Sequence, residues 1–242
     1  MIKGKQSIAF KESPYIEESA SVVGKKEGEG PLGSRFDMVG LDDMFGEDTW
    51  EKAESSMQKE ACQLALGKAH LTAGAIRYLF GGDLLRQGVA TSLGVEQLQI
   101  PMFGLYGACS TSGEALALAS MCVAAGYGER MLVVTSSHFG SAEKEFRFPL
   151  SYANQRPLSA QWTVTGSGAF IVGKNRSHVR ITGVTVGQPA IRSSGIWKIL
   201  KEKKKIMTGS LPEISDMWDR AYYLILCGKK NTISKKDIWI VG

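Results

Sequence analysis

The sequence predicts an α/β fold: a mixed, largely parallel sheet with helices on both faces. Three observations carry that expectation. Short apolar runs alternate along the chain with longer runs whose apolar residues recur at spacings of three and four, and strands alternating with helices favour a parallel sheet covered on two sides. Many of the 28 glycines sit at the ends of apolar runs, where tight strand–helix turns need them. The composition, 43% apolar and 22% charged over 242 residues, is that of an ordinary globular chain long enough to bury a large core.

The elements follow in order. The first 45 residues are loop-rich. Within them "KQSIAF" reads as a strand and "GKKEGEGPLGSRFD" as a polar, glycine-punctuated surface excursion. "EDTWEKAESSMQKEACQLALGKAHL" predicts a helix capped by Asp48 or Thr49, with Trp50, Ala53, Met57, Ala61, Leu64 and Ala65 on one face. Residues 76–80 read as a short strand, and Gly81, Gly82 and Asp83 as the turn after it. "LRQGVATSLGVEQL" predicts a helix interrupted by two glycines, and "QIPMFGLYG" the next strand. "STSGEALALASMCVAAG" is a helix apolar nearly all round, so it belongs in the interior. "ERMLVVTSSH" is a buried strand ending in a polar cluster, and "FGSAEKEFRFPLSYANQRPLSAQWT" a long polar loop. "GSGAFIVG" and "VRITGVTVGQ" are two further strands. Beyond residue 189 the pattern breaks: residues 199–206 are dominated by lysine, "AYYLILCG" is a strand or a buried helix, and "DIWIVG" a strand.

Several function classes are disfavoured. Residues 1–6 are too polar for a signal peptide, and the longest nearly apolar stretch, residues 115–126, is too short to span a bilayer. Cys62, Cys109, Cys122 and Cys227 show no C-x-x-C spacing, which predicts neither a zinc site nor a disulfide framework but a reducing compartment. The formal net charge of +5 is unevenly spread. Residues 1–189 hold 18 basic against 19 acidic side chains, and residues 190–242 hold 11 against 5. The basic run "KILKEKKKI" is read as a solvated segment; with no interleaved aromatics it predicts no nucleic-acid partner.

The segment "GACSTS" places Cys109 where a strand passes into a helix. That is the carboxyl edge at which open α/β sheets bind ligands, and the start of a helix, whose free amides favour an anion or a thiolate. A nucleophile, the floor of a binding pocket and a small core residue all remain open for it. Asp83 and His138 each follow a strand and are delivered to the same edge in a parallel sheet; Arg147, flanked by aromatics in "EFRFP", is a cation able to reach back to it.

"GPLGSRFD", "DTWEKAES", "GGDLL", "GACSTS", "TSSH", "EFRFP" and "TVTGSGA" occur in an order that resembles the stage V sporulation protein AD family of spore-forming bacteria, over about residues 3–188. The resemblance implies a thiolase-like fold, of which this chain holds mainly the N-terminal half. It implies a role in moving dipicolinic acid, with calcium, into the developing spore and releasing it at germination. The implied partners are membrane proteins of the same sporulation operon, and the implied place is the cytoplasm or the periphery of the spore inner membrane. Carried over by motif, Asp83, Cys109 and His138 belong to the ligand site, and Arg147 is added because the ligand has two carboxylates. Asp83 then contacts the ring nitrogen through a proton or sits beside calcium. No other cofactor and no protein-held metal is implied.

The resemblance does not imply catalysis. An activated thiol needs groups that polarise the acyl carbonyl and move protons. The histidines are His70, His138 and His178, with none beyond. The alternatives are an acyltransferase of the thiolase and ketoacyl-synthase kind using Cys109, and an inactive fragment. The expected division is therefore residues 1–189, a thiolase-like N-terminal half, and residues 190–242, a divergent basic segment. That segment is read as the product of a frameshifted or truncated frame, or as a genuine divergent module. A half fold leaves an apolar helix layer to cover, which predicts self-association, for instance as a homodimer, or a covering partner.

Overall fold

Ten strands of one mixed sheet organise the described residues. They are β1 (Ile2–Lys3), β2 (Ser7–Ala9), β3 (Tyr15–Val23), β4 (Met38–Val39), β5 (Tyr78–Asp83), β6 (Met102–Gly104), β7 (Arg130–Ser137), β8 (Gly166–Gly173), β9 (Val179–Thr185) and β10 (Lys236–Val241). The helices are α1 (Lys25–Gly28), α2 (Trp50–Lys68), α3 (Val89–Val95), α4 (Thr111–Ala124) and α5 (Phe139–Phe146). The structure, a computed structural model, describes residues 1–84, 87–146, 163–187 and 236–241. Arg147 and the lysine run, as well as "AYYLILCG", lie outside the described residues.

The parallel part is β6–β5–β7, with Leu79 opposite Met102 and Tyr78 to Asp83 opposite Met131 to Ser136. Helices α3 and α4 make the crossovers that parallel neighbours require. β8 runs antiparallel to both β7 and β3, and β9 antiparallel to β3 and β2. β10 lies parallel beside β9, the strand expected at "DIWIVG". The sheet is thus mixed, with its continuous parallel block at one end.

Alternation of side chains across the strands builds two cores. On one face Met57, Ala61 and Ala65 of α2 meet Leu79, Leu132, Val134 and Ile171. On the other, Ala115, Leu116, Ala119 and Val123 of α4 meet Phe80, Met131, Val133, Phe170 and Val172. Leu79, Leu132, Ile171 and Phe170 are almost wholly buried, and each contributes about 1.5–3 kcal/mol relative to exposure. Helix α2 starts as its sequence predicts: the Thr49 hydroxyl accepts from the Lys52 amide at 3.3 Å.

Beyond the short α1 and β4 within the stretch read as loop, larger departures from the sequence expectation each have a physical reason. β3 was hidden in the loop-rich start because the alternation slips by one residue between Ile16 and Glu18. Its adjacent glutamates are both paired: Glu17 accepts from Arg130 Nε at 2.7 Å, and Glu18 lies 3.7 Å from Lys68 Nζ. Gly81, Gly82 and Asp83 are not a turn but the end of β5. A Cβ at Gly82 would stand 2.3 Å from the Leu105 carbonyl oxygen and 2.6 Å from Thr111 Cγ2, so glycine is there for close approach. α3 begins only at Val89 because Gln87 and Gly88 take left-handed φ values of 53° and 82°. The segment read as a polar loop opens with α5, whose Gly140 packs so closely on Trp50 that a Cβ would lie 2.2 Å from the ring.

Two glycine substitutions should move stability in opposite directions. Gly82→Ala forces Cβ onto main chain and should cost about 1–3 kcal/mol. Gly67→Ala, inside α2 with nothing within 4 Å of the new methyl, should stabilise by roughly 0.5–1 kcal/mol. Urea unfolding midpoints of the two variants against wild type check both signs.

Candidate functional site

The carboxyl ends of β5, β6 and β7 form one rim of the sheet, and the segments leaving it carry Asp83, Cys109 and His138. β6 is followed by a turn stitched to the end of β5: the Leu105 amide donates to the Gly81 carbonyl at 2.8 Å. A 3-10 turn, Ala108–Ser110, then leads into α4. Thr111 Oγ1 accepts from the Gly107 amide at 3.0 Å, and Ser110 Oγ donates to the Gly107 carbonyl at 2.7 Å. Ala108 is left-handed, φ 48°, and Cys109 is exposed. Helix α4 has no side-chain cap at Ser110 and continues from the 3-10 turn, the Thr111 amide donating to the Ala108 carbonyl; its N-terminal end carries partial positive charge, and Glu114 lies in the same first turn.

His138 follows β7 and is buried. Its Nδ1 accepts from the Gly140 amide at 3.0 Å, which leaves the proton on Nε2, and Nε2 donates to the Asp43 carbonyl at 2.7 Å. The ring stacks on Phe139 with centroids 5.3 Å apart. Burial holds its pKa below the ordinary histidine value, with the Asp43 carbonyl opposing the shift. The imidazole is therefore neutral, and both of its nitrogens are spent on main chain.

Asp83 is also buried. Its Oδ1 accepts from the Gly88 amide, and its Oδ2 from the amide and hydroxyl of Thr91, all at 3.3 Å. It thereby anchors the start of α3. Position decides the grouping. Asp83 contacts α3, and its lateral neighbour Ser136 contacts α2, whereas the turn that carries Cys109 heads α4 on the opposite face. The rim gathers all three segments, but Asp83 and His138 direct their polar atoms into one layer and Cys109 opens the other. The fourth expected site residue, Arg147, lies outside the described residues.

Behind the rim is a polar chain that sequence reading did not single out. Gln58 Nε2 donates to Thr91 Oγ1 at 3.0 Å and to Ser136 Oγ at 2.6 Å. Thr91 Oγ1 donates on to Asp83, and Ser136 Oγ to Glu54 Oε1 at 2.7 Å. Glu54, Gln58, Asp83 and Thr91 are each at most 1% exposed, so the Gln58–Thr91–Asp83 link lies out of reach of water, while Ser136 is half-buried. The available signal was a Glu and a Gln four residues apart, flanking the apolar stripe of α2 at Ala53 and Met57. Among the described residues no cluster of three or more His, Cys, Asp or Glu is placed to hold a metal ion. Among them, too, no helix is long and apolar enough to cross a membrane.

A mixed α/β sheet that presents an exposed cysteine at the head of a buried helix defines the class of protein. The particular family follows from comparison: the profile described as Stage V sporulation protein AD matches residues 4–198. The chain belongs to that family of sporulation proteins. It is 40% identical over 188 residues to Stage V sporulation protein AD of Bacillus subtilis (strain 168), a match that takes in 77% of this chain and 55% of the relative. The chain thus spans about half the length of that relative. Similar solved structures include 3-oxoacyl-[acyl-carrier-protein] synthase III from Aquifex aeolicus VF5, with 19% identity, TM-score 0.46 and coverage of 68% of this chain and 55% of that one. Another is the priming β-ketosynthase of the R1128 polyketide pathway, with 17% identity, TM-score 0.44 and coverage of 71% and 52%.

Two measurements check the geometry. The native fold holds His138 neutral while the unfolded chain binds a proton near its ordinary value of 6.5. The unfolded state therefore takes up more protons as pH falls, and this stabilisation, complete above 6.5, should drain away below it. His138→Gln should flatten that part of the stability–pH curve. Thiol labelling should mark Cys109 in the native protein and spare Cys62, which burial pushes to a pKa of about 12. Peptide mapping after a short iodoacetamide pulse reads the difference.

Proposed function

We propose that the chain is a dipicolinic acid-binding component of the spore machinery that takes up and releases dipicolinate with calcium. In this reading it works beside membrane proteins of the same operon, in the cytoplasm or at the periphery of the spore inner membrane, and it binds rather than catalyses. Family membership supports the sporulation setting. The observation that carries the non-catalytic part is the double tether of His138: an imidazole with one nitrogen on the Gly140 amide and the other on the Asp43 carbonyl is not poised to take a proton from Cys109.

The ligand side rests on charge. Dipicolinic acid carries two carboxylates and a ring nitrogen. The positive end of α4 suits one carboxylate, which must approach on the exposed side of Ala108 and Cys109, because Ser110 Oγ and the Glu114 carboxylate fill the space beside Gly107. Cys109 and Arg147 are the proposed contacts. Asp83 and His138 hold the segments that shape the rim. The competing acyltransferase reading draws on one observation, the exposed thiol at a helix start.

Calorimetric titration with dipicolinic acid should give saturable heat. Cys109→Ala should weaken binding by roughly 3–10-fold, the worth of one polar contact. Incubation with acyl-coenzyme A followed by intact-mass analysis should leave the chain unmodified. An acyl adduct on Cys109 would instead establish the transferase, and unchanged affinity in Cys109→Ala would remove the thiol from the pocket.

A further inference from the structure

We propose that Gln58 is a positioning residue for the rim, acting on Asp83 through Thr91; the ligand part of this inference rests on the dipicolinate reading above. The two carboxylates fix the direction of the hydrogen-bond chain. Carboxylates accept and do not donate, so the Thr91 hydroxyl must give its proton to Asp83, and the Ser136 hydroxyl must give its proton to Glu54. Each hydroxyl then has only acceptor capacity left toward the centre. The central group must donate twice, in two directions, from a fully buried position. The primary amide of Gln58 does so, reaching Thr91 at 3.0 Å and Ser136 at 2.6 Å, with the Gly82 carbonyl 3.5 Å from the same nitrogen. A glutamate of the same shape has at most one proton to give.

The chain joins two strands to two helices at the level where the rim begins. Ser136 is the lateral partner of Asp83 across β5 and β7, Gln58 sits in α2, and Thr91 in α3. Asp83 in turn holds the Gly88 and Thr91 amides, fixing the left-handed turn at Gln87 and Gly88 that launches α3. Gly82, beside Asp83, is the residue against which the Leu105 carbonyl and Thr111 pack at the head of α4. Through these contacts a single amide in α2 is tied to the turn that launches α3 and, through the Gly82 main chain, to the strand end on which the head of α4 and the segment carrying Cys109 pack.

The test is Gln58→Glu, read by amide hydrogen exchange at Gly88 and Thr91 and by calorimetric affinity for dipicolinic acid. Ile181→Val, a methylene lost from the opposite core, serves as a control for general destabilisation. Exchange at the two amides should quicken about tenfold, the effect of losing one buried hydrogen bond, and affinity should drop several-fold, while the control changes neither. Thr91→Val breaks the same link if Gln58→Glu does not fold. Unchanged exchange overturns the relay. Faster exchange with wild-type affinity overturns the positioning role. Absence of dipicolinate heat in the wild type overturns the ligand reading instead, and the exchange rates still decide the relay.

Discussion

Helices α2 and α4 cover opposite faces of the central strands, and side chains alternate along β5, β7 and β8, so each residue near their ends is committed to one of two layers. That commitment governs the rest. Leu79 and Phe80 are adjacent in sequence yet belong to different cores. Two residues further on, Gly82 lies under the head of α4 while Asp83 is bound to α3. A rim that looks continuous in topology is therefore two chemically distinct half-rims: a dry, hydrogen-bonded one beneath α2 and α3, and an exposed one at the start of α4. Cys109 belongs to the second.

The polar groups at the first half-rim are buried among apolar neighbours, where an unmet donor or acceptor costs about 1–3 kcal/mol. Their hydrogen bonds offset most of that cost, with Gln58 Oε1 left without a partner among the described residues, and also specify how α2, α3 and the sheet fit together. Elsewhere charge serves a plainer purpose. Lys68, at the end of α2, lies 2.9 Å from Asp37 and 3.7 Å from Glu18, and so fastens the helix to β3. Lys52 and Asp48 meet at 2.8 Å in the open, where such pairs add little. The contrast separates polar residues that set geometry from those that keep the surface solvated.

Much of the architecture was legible in the sequence because it is written in apolar periodicity. The stripe Ala53, Met57, Ala61, Ala65 announced α2, and the runs at 131–134 and 169–172 announced β7 and β8. What stayed hidden depends on contacts distant in the chain. The glutamates of β3 disguise a buried strand because their partners, Arg130 and Lys68, are far away in sequence. Gly82 looked like a turn because nothing local reveals that another loop presses on it. At the site, residue types and order pointed to the rim, and motif resemblance pointed to the family. The tautomer of His138 and the centrality of Gln58 were not readable, since both follow from which layer a neighbouring main-chain group occupies.

The two borders of the sheet differ in kind. At one, β10 is laid alongside β9. At the other, among the described residues, stands β6, three residues long, preceded by Pro101 and with Phe103 half out in solvent. Unpaired strand borders invite adhesion between molecules. Here brevity is the safeguard: a stray extended peptide meeting β6 finds a landing too short for a durable ladder, with a proline that has no amide to lend just before it. Among the described residues an aromatic thus stands at a margin whose brevity disfavours fibrous growth.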